Sequence, residues 1–231
     1  MWPTFAEELA DASGTEVELA RSGTLMLARD DDEARELERV LAHRRSLGLD
    51  VERLLPSEAR AREPGLAPSV RMALAIEGDR AVDPRQVLAA LREACERAGV
   101  AVRERAAVAE VLLVGDTGPV AGLTLTDGER LAAGAIVVAA GAWSDELSGL
   151  PPSERVPVRP VKGQTVRLRD PDGPGLARHV LRFGGGYVVP RSDGRYLVGG
   201  TIEERGFDAG PTAGAAYELL RQARDLLPGI L

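Results

Sequence analysis

The sequence predicts a mixed α/β (α+β) chain, and three observations predict it. Apolar residues recur at helical spacing in several capped stretches, others alternate as strands do, and a bare apolar run, Ala135-Ile136-Val137-Val138-Ala139-Ala140, leads into Gly141. With 44% hydrophobic residues in 231, the chain can bury one good core or two smaller ones.

Residues 2–13 read as a helix ending at Gly14, and 24–28 as a strand. Residues 31–47 read as a helix with Leu37, Val40, Leu41 and Leu47 inward and Gly48 as its stop. Pro56-Ser57-Glu58 opens a short helix that ends before Pro64, and a strand over 71–76 closes this first block. Asp83 as N-cap, Pro84 at the first helical position and Gly99 past the end bracket the best-defined helix, whose apolar face reads as Val87, Leu88, Leu91, Ala94, Cys95 and Ala98. Residues 100–102 begin a parallel strand. Residues 108–114 and 120–126 form a β-excursion through Gly115-Asp116-Thr117-Gly118-Pro119, and Asp127-Gly128 turns the chain toward 135–140.

The 135–140 run is expected to be a strand buried on both faces, with Gly141 permitting a close turn and Ser144 capping a short helix that begins Asp145-Glu146. An ordinary buried strand with a tight exit accounts for these residues as well as a cofactor site does. In the third block 164–168 alternates, 180–183 follows, and 187–190 pairs with 195–198 across Ser192-Asp193-Gly194. A final helix over 212–227 is expected to turn Ala216, Tyr217, Leu220, Ala223 and Leu227 inward.

The 29 basic residues against 36 acidic ones give a net charge of −7, with the signs interspersed, so nucleic acid is not an expected partner. No apolar run approaches the ~20 residues of a membrane span. The start, Trp2-Pro3-Thr4-Phe5, lacks the basic region and apolar core of a signal peptide, so no membrane partner is expected and a cytoplasmic location follows by default. Cys95, the only cysteine, excludes an internal disulfide and reads as a structural thiol. With only His43 and His179, no metal site is expected; His43 reads as a solvated helix position and His179 as a surface or edge residue.

Four blocks carry a family resemblance: Ala139-Ala140-Gly141-Ala142-Trp143-Ser144, Pro157-Val158-Arg159-Pro160-Val161-Lys162-Gly163-Gln164, Tyr187-Val188-Val189-Pro190-Arg191-Ser192-Asp193-Gly194-Arg195, and Val198-Gly199-Gly200-Thr201-Ile202-Glu203-Glu204-Arg205-Gly206-Phe207-Asp208. In this order and spacing they resemble the FAD-dependent amine and amino-acid oxidases of the D-amino acid oxidase superfamily, most nearly the glycine oxidases of thiamine biosynthesis. Weaker matches extend the similarity over essentially the whole chain.

The resemblance implies part of a Rossmann-like FAD-binding domain plus an antiparallel-sheet substrate domain. Residues 1–78 would be a substrate-domain segment of helices and edge strands, 79–150 a partial FAD-binding domain, and 151–231 the substrate-domain sheet and helix. It implies FAD as cofactor, contacted by Val108 through its backbone and by Gly141 and Trp143. Tyr187 would line the substrate pocket near the ligand carboxylate, and Ile202 would form an apolar wall that keeps the cavity small. On their own, Val108 reads equally as a packed strand residue and Tyr187 as a tyrosine on a half-buried strand.

The implied chemistry is hydride transfer from the α-carbon of glycine or another small amine to the flavin, giving an imine or 2-oxo acid, with O2 reduced to hydrogen peroxide. Such a reaction needs no protein acid–base pair, so no catalytic residue is assigned. Lys162 would position backbone, and Arg191 and Arg195 would be structural. No G-x-G-x-x-G turn is present, Gly184-Gly185-Gly186 reads as a loop, and the family's carboxylate-binding arginine would fall past Leu231. The expectation is therefore an internal fragment, inactive alone, of an enzyme open to homo-oligomerisation when full length. Two alternatives stand beside it: a D-amino acid or sarcosine oxidase-like enzyme, and a cofactor-free binding or scaffold relic of the fold.

Overall fold

The computed structural model describes residues 2–115, 117–170, 173 and 175–230, so Asp116 of the expected turn lies outside the described residues. Two units divide the chain, one of Met1–Val100, Gly163–Ile202 and Gly210–Leu231, the other of Ala101–Lys162 and Glu203–Ala209. The first unit begins with α1 (Trp2–Ser13), β1 (Leu19–Ala20), β2 (Thr24–Ala28), α2 (Asp31–Ser46), β3 (Glu52–Leu54), α3 (Pro56–Arg62), β4 (Met72–Ile76), β5 (Ala81–Val82) and α4 (Pro84–Arg97). The second contributes β6 (Val108–Leu113), β7 (Val120–Leu125) and β8 (Arg130–Ala132). The first resumes with β9 (Thr165–Arg169), β10 (Val180–Phe183), β11 (Gly186–Pro190), β12 (Arg195–Gly199) and α5 (Ala213–Leu226).

A seven-stranded sheet in the order β3-β4-β2-β10-β11-β12-β9 organises the first unit. Its junctions are antiparallel except β2 with β10, which is parallel and joins the first and third sequence blocks. Residues in register across a sheet share a face. Ala75, Leu25, Leu181, Val188, Val198 and Val166 form one such row. This row meets Ala59 of α3 and Leu219, Ala223 and Leu226 of α5 in the main core. The next row, Leu74, Met26, Arg182, Tyr187, Gly199 and Thr165, faces the other way. Helix α2 covers only its Leu74 and Met26 end, through Leu37 and Leu41. Asp30 starts that helix by accepting from the Asp32 and Glu33 amides, and acids in the first turn with His43, Arg44 and Arg45 in the last complement the helix dipole.

Two helices present faces that match the spacing only in part, with Val87 and Ala94 of α4 and Ala223 and the following Leu227 of α5 inward as expected. In α4, Val87, Ala90 and Ala94 pack with Leu9 of α1 and Val17, because Ala90 lets the helices approach closely; Leu88 and Leu91 are exposed. In α5, Leu219, Ala223 and Leu226 turn inward while Tyr217 is exposed. The α4 start is as expected, with Pro84 leading and Asp83 accepting from the Arg85 amide at 3.0 Å. Asp83→Ala is expected to lower stability by about 1 kcal/mol and Asp83→Asn to retain most of it, as read by urea unfolding. Equal losses in both variants would show that the cap is not the cause.

The second unit holds the antiparallel sheet β6-β7-β8. Its third strand was not anticipated, and it follows a turn in which the Gly128 amide donates to the Leu125 carbonyl at 3.0 Å. Two expected strands are not strands. Residues 100–102 and 135–140 pair with no strand among the described residues, and Val137 is 91% exposed. An apolar run becomes a doubly buried strand only where neighbours flank it, and the described part of this unit supplies none. The helix start is also different: Gly141–Glu146 is a 3-10 turn with Ser144 buried inside it rather than capping it.

His179, expected at the surface or an edge, is half-buried just before β10, and its Nδ1 lies 2.6 Å from Oε1 of the buried Glu63. Among the described residues no helix is long and apolar enough to cross a membrane.

Candidate substrate cavity and cofactor-facing residues

The uncovered part of the second row forms the floor of a cavity of about 600 Å3, whose lining includes Arg182, Tyr187, Thr165, Gly200, Thr201 and Ile202. Tyr187 sits opposite Gly199 on β12. A Cβ on Gly199 would lie 2.4 Å from Cζ and 2.5 Å from Oη of Tyr187. The ring therefore lies across the glycine in space that a side chain would fill, and this packing orients the hydroxyl.

The rim beyond the sheet is held by backbone and side-chain pairing. Thr201 Oγ1 accepts from the Gln164 amide at 2.9 Å, the Thr201 amide donates to the Gln164 carbonyl at 3.2 Å, and Gln164 Oε1 accepts from the Thr212 amide at 2.8 Å. Ile202 projects from this tied segment and is 83% exposed. Tyr187 and Ile202, the two residues that the resemblance implies for substrate, thus line one cavity.

Helix α2 forms the opposite wall with Leu37, Val40, Glu33 and Glu36. Both acids are engaged. Glu33 accepts from the Arg29 amide at 2.7 Å and pairs with its guanidinium at 2.5 Å, while Glu36 pairs with Arg39. The hydrogen bond to Glu33 is the main cause holding the Arg29 guanidinium above its ordinary range.

The residues assigned to cofactor lie in the second unit. Val108 opens β6 opposite Leu125, next to a register shift between Val108 and Glu110. Gly141 adopts φ +54 with open space where a Cβ would stand. Trp143 is 63% exposed, and its ring stacks on Phe207 at 5.6 Å with an interplanar angle of 23°. Within the same unit Lys162 exchanges amide-to-carbonyl bonds with Glu203, both 2.9 Å, and its buried ammonium lies 3.6 Å from Asp208 Oδ2. Arg195, at the hairpin turn, donates to Asp193 Oδ2 at 2.6 Å. Among the described residues no cluster of three His, Cys, Asp or Glu side chains could hold a metal.

The sequence matches the profile of the FAD dependent oxidoreductase (DAO) family over residues 2–231. The chain belongs to that family. Its relatives include the glycine oxidase of Geobacillus kaustophilus, 35% identical over all of this chain and 60% of the relative, and that of Pseudomonas putida, 33% identical over 98% of this chain and 60% of the relative. The crystal structure of the Geobacillus kaustophilus glycine oxidase superposes with a TM-score of 0.87 at 34% identity, over 99% of this chain and 60% of that one. An iminodiacetate oxidase from Chelativorans sp. BNC1 superposes with a TM-score of 0.80 at 29% identity, over 99% of this chain and 61% of that one. This family member therefore spans about 60% of the length of these relatives.

Proposed function

We propose that this chain forms the substrate cavity, and part of the flavin-facing surface, of a FAD-dependent oxidase acting on glycine or another small amine. Oxidation would give the imine or 2-oxo acid with hydrogen peroxide, and the imine would serve thiamine biosynthesis. Family membership supports the cofactor class, and the glycine oxidases among the relatives support the substrate class. The observation that carries the reading is the glycine-seated Tyr187 sharing one small cavity with Ile202.

Two features of the second unit fit a flat cofactor in kind. The exposed Trp143 ring, stacked on Phe207, is a surface on which a planar group packs, and the open flank of Gly141 lets a ligand approach backbone closely. Val108 would contribute its backbone. Nothing in the sequence offers the glycine-rich turn that cradles a pyrophosphate, so these residues would meet the flavin rather than its phosphates. When bound, the flavin supplies the two-electron acceptor. This chain's own residues bind and orient: the Tyr187 hydroxyl donates to an oxygen of the ligand, and Ile202 and Leu37 exclude water and limit its size.

The test is anaerobic addition of glycine to the FAD-loaded protein, followed by absorbance. Bleaching of the oxidised flavin, with hydrogen peroxide on readmitting air, is the expected result. Tyr187→Phe should raise KM by about tenfold with a smaller change in kcat, as expected for loss of one hydrogen bond to a charged group. Flavin that stays oxidised with glycine, sarcosine and D-alanine alike would overturn the proposal.

A further inference from the structure

We propose that the Arg29–Glu33 ion pair is a clamp that fixes the glycine turn leading into Tyr187, and so positions the Tyr187 hydroxyl for its ligand. Both are positioning residues. The inference rests on the reading of this cavity as the place where an amine is oxidised, and it names what keeps one wall of that cavity in place.

The turn has little stiffness of its own. Gly184-Gly185-Gly186 joins β10 to β11 and runs straight into Tyr187. Glycine restricts the backbone least of all residues, so three in a row leave the start of β11 loose unless neighbours hold it. Gly185 takes φ +84, which glycine adopts without strain. Phe183 pairs with Gly186 at the last rung of the hairpin, and Gly184 and Gly185 stand beyond it. A Cβ on Gly186 would lie 2.7 Å from Cε2 of Phe183, so the ring of Phe183 crosses that glycine.

The contacts that hold this turn come from the junction of β2 with α2. Glu33, in the first turn of α2, approaches Gly184 so closely that a Cβ there would lie 2.4 Å from its Oε1. Three donors of a single residue fix that carboxylate. Arg29 reaches it through its backbone amide at 2.7 Å, its Nε at 3.1 Å and a terminal guanidinium nitrogen at 2.5 Å. The same guanidinium lies 5.3 Å from the centroid of the Phe183 ring, inside the roughly 6 Å over which a cation is drawn to an aromatic face. Arg29 therefore grips both ends of the turn, through Glu33 at Gly184 and through Phe183 at Gly186. The pair is half-buried, so salt screens it less than it screens an ion pair on the surface. Glu33 lines the cavity together with Gly184, Gly185, Gly186 and Tyr187, which places the clamp in the cavity wall itself.

Anaerobic flavin reduction by glycine tests this in the FAD-loaded protein and its variants. Arg29→Ala and Glu33→Ala are each expected to raise KM by about tenfold while changing kcat by roughly twofold or less, because the hydroxyl is misplaced and the flavin is untouched. Arg29→Lys keeps the charge without the planar fork and should fall between them and the parent. In a Tyr187→Phe background, Arg29→Ala should raise KM no further, since the hydroxyl it positions is already gone. Effects on KM that multiply there would overturn the proposal. Hydrogen exchange over residues 184–187, read by mass spectrometry, gives a signal independent of activity and should be about tenfold faster in both alanine variants, with β12 unchanged. Gly184→Ala retains both members of the pair, and its Cβ is expected to displace the carboxylate and speed the same amides. If exchange is unchanged in all three variants while glycine reduces the flavin of the parent, the clamp fails and the oxidase stands. If exchange quickens but no amine reduces the flavin of any form, the oxidase reading fails and the clamp stands.

Discussion

Replacing Glu63 by alanine is expected to lower the unfolding free energy by about 3 kcal/mol, although the residue does not line the cavity. Its Oε1 accepts from the Arg178 amide at 2.8 Å and the His179 amide at 2.7 Å, and the His179 ring nitrogen Nδ1 lies 2.6 Å away. These partners are 115 and 116 residues distant in sequence. They immediately precede β10, the strand that pairs in parallel with β2 and carries Arg182. With alanine, two amides and a ring nitrogen around this part-buried carboxylate lose their acceptor, and a fully buried loss of that kind is worth about 1–3 kcal/mol before relaxation. Glu63→Gln keeps a carbonyl oxygen for the amides and should lose only about half as much. Urea unfolding followed by circular dichroism distinguishes the cases. An alanine variant within 1 kcal/mol of the parent would mean that water replaces the carboxylate and that the link does not hold the strand.

What could be read from the sequence follows the range of the interaction concerned. The Asp83-Pro84 helix start and the hairpin around Ser192-Asp193-Gly194 are decided by neighbours a few residues away, and both stand as expected. Tyr187 and Ile202 are singled out by the family resemblance of their motifs, and both line one cavity. Glu63 and His179 meet only through tertiary packing, so the sequence places His179 at the surface or an edge and gives no sign of its partner. Arg182 is one polar letter in a short strand, and nothing local distinguishes it from any arginine on a sheet. Its place became visible only once β10 was seated between β2 and β11. The run at 135–140 failed for a different reason: hydrophobic patterning reports a need for burial, and it cannot say whether the partners that provide it are at hand. The faces of α4 and α5 were legible only in part: Val87, Ala94, Ala223 and Leu227 pack inward as expected, while Leu88, Leu91 and Tyr217 are exposed and Ala90, Leu219 and Leu226 take buried positions that only the packing partner selects.

Gly199 carries the second large prediction, because it couples the sheet to the cavity. A Cβ there would stand 2.4 Å from Cζ, 2.5 Å from Oη and 2.8 Å from Cε2 of Tyr187. Carbon atoms in contact prefer roughly 3.5–4.0 Å, so Gly199→Ala must displace the ring from its place over β12. Overpacking of this kind costs about 2 kcal/mol, and the displaced hydroxyl should weaken ligand binding as much as removing it does. The same substitution made in a Tyr187→Ala background meets no ring. There it should be neutral or mildly stabilising, because alanine loses less backbone entropy than glycine in a strand. The double-mutant cycle is therefore expected to give a coupling of about 2 kcal/mol between the two positions. A Gly199→Ala penalty of the same size with and without the ring would place the strain elsewhere in β12, and Tyr187 would then owe its orientation to something other than the missing side chain beneath it.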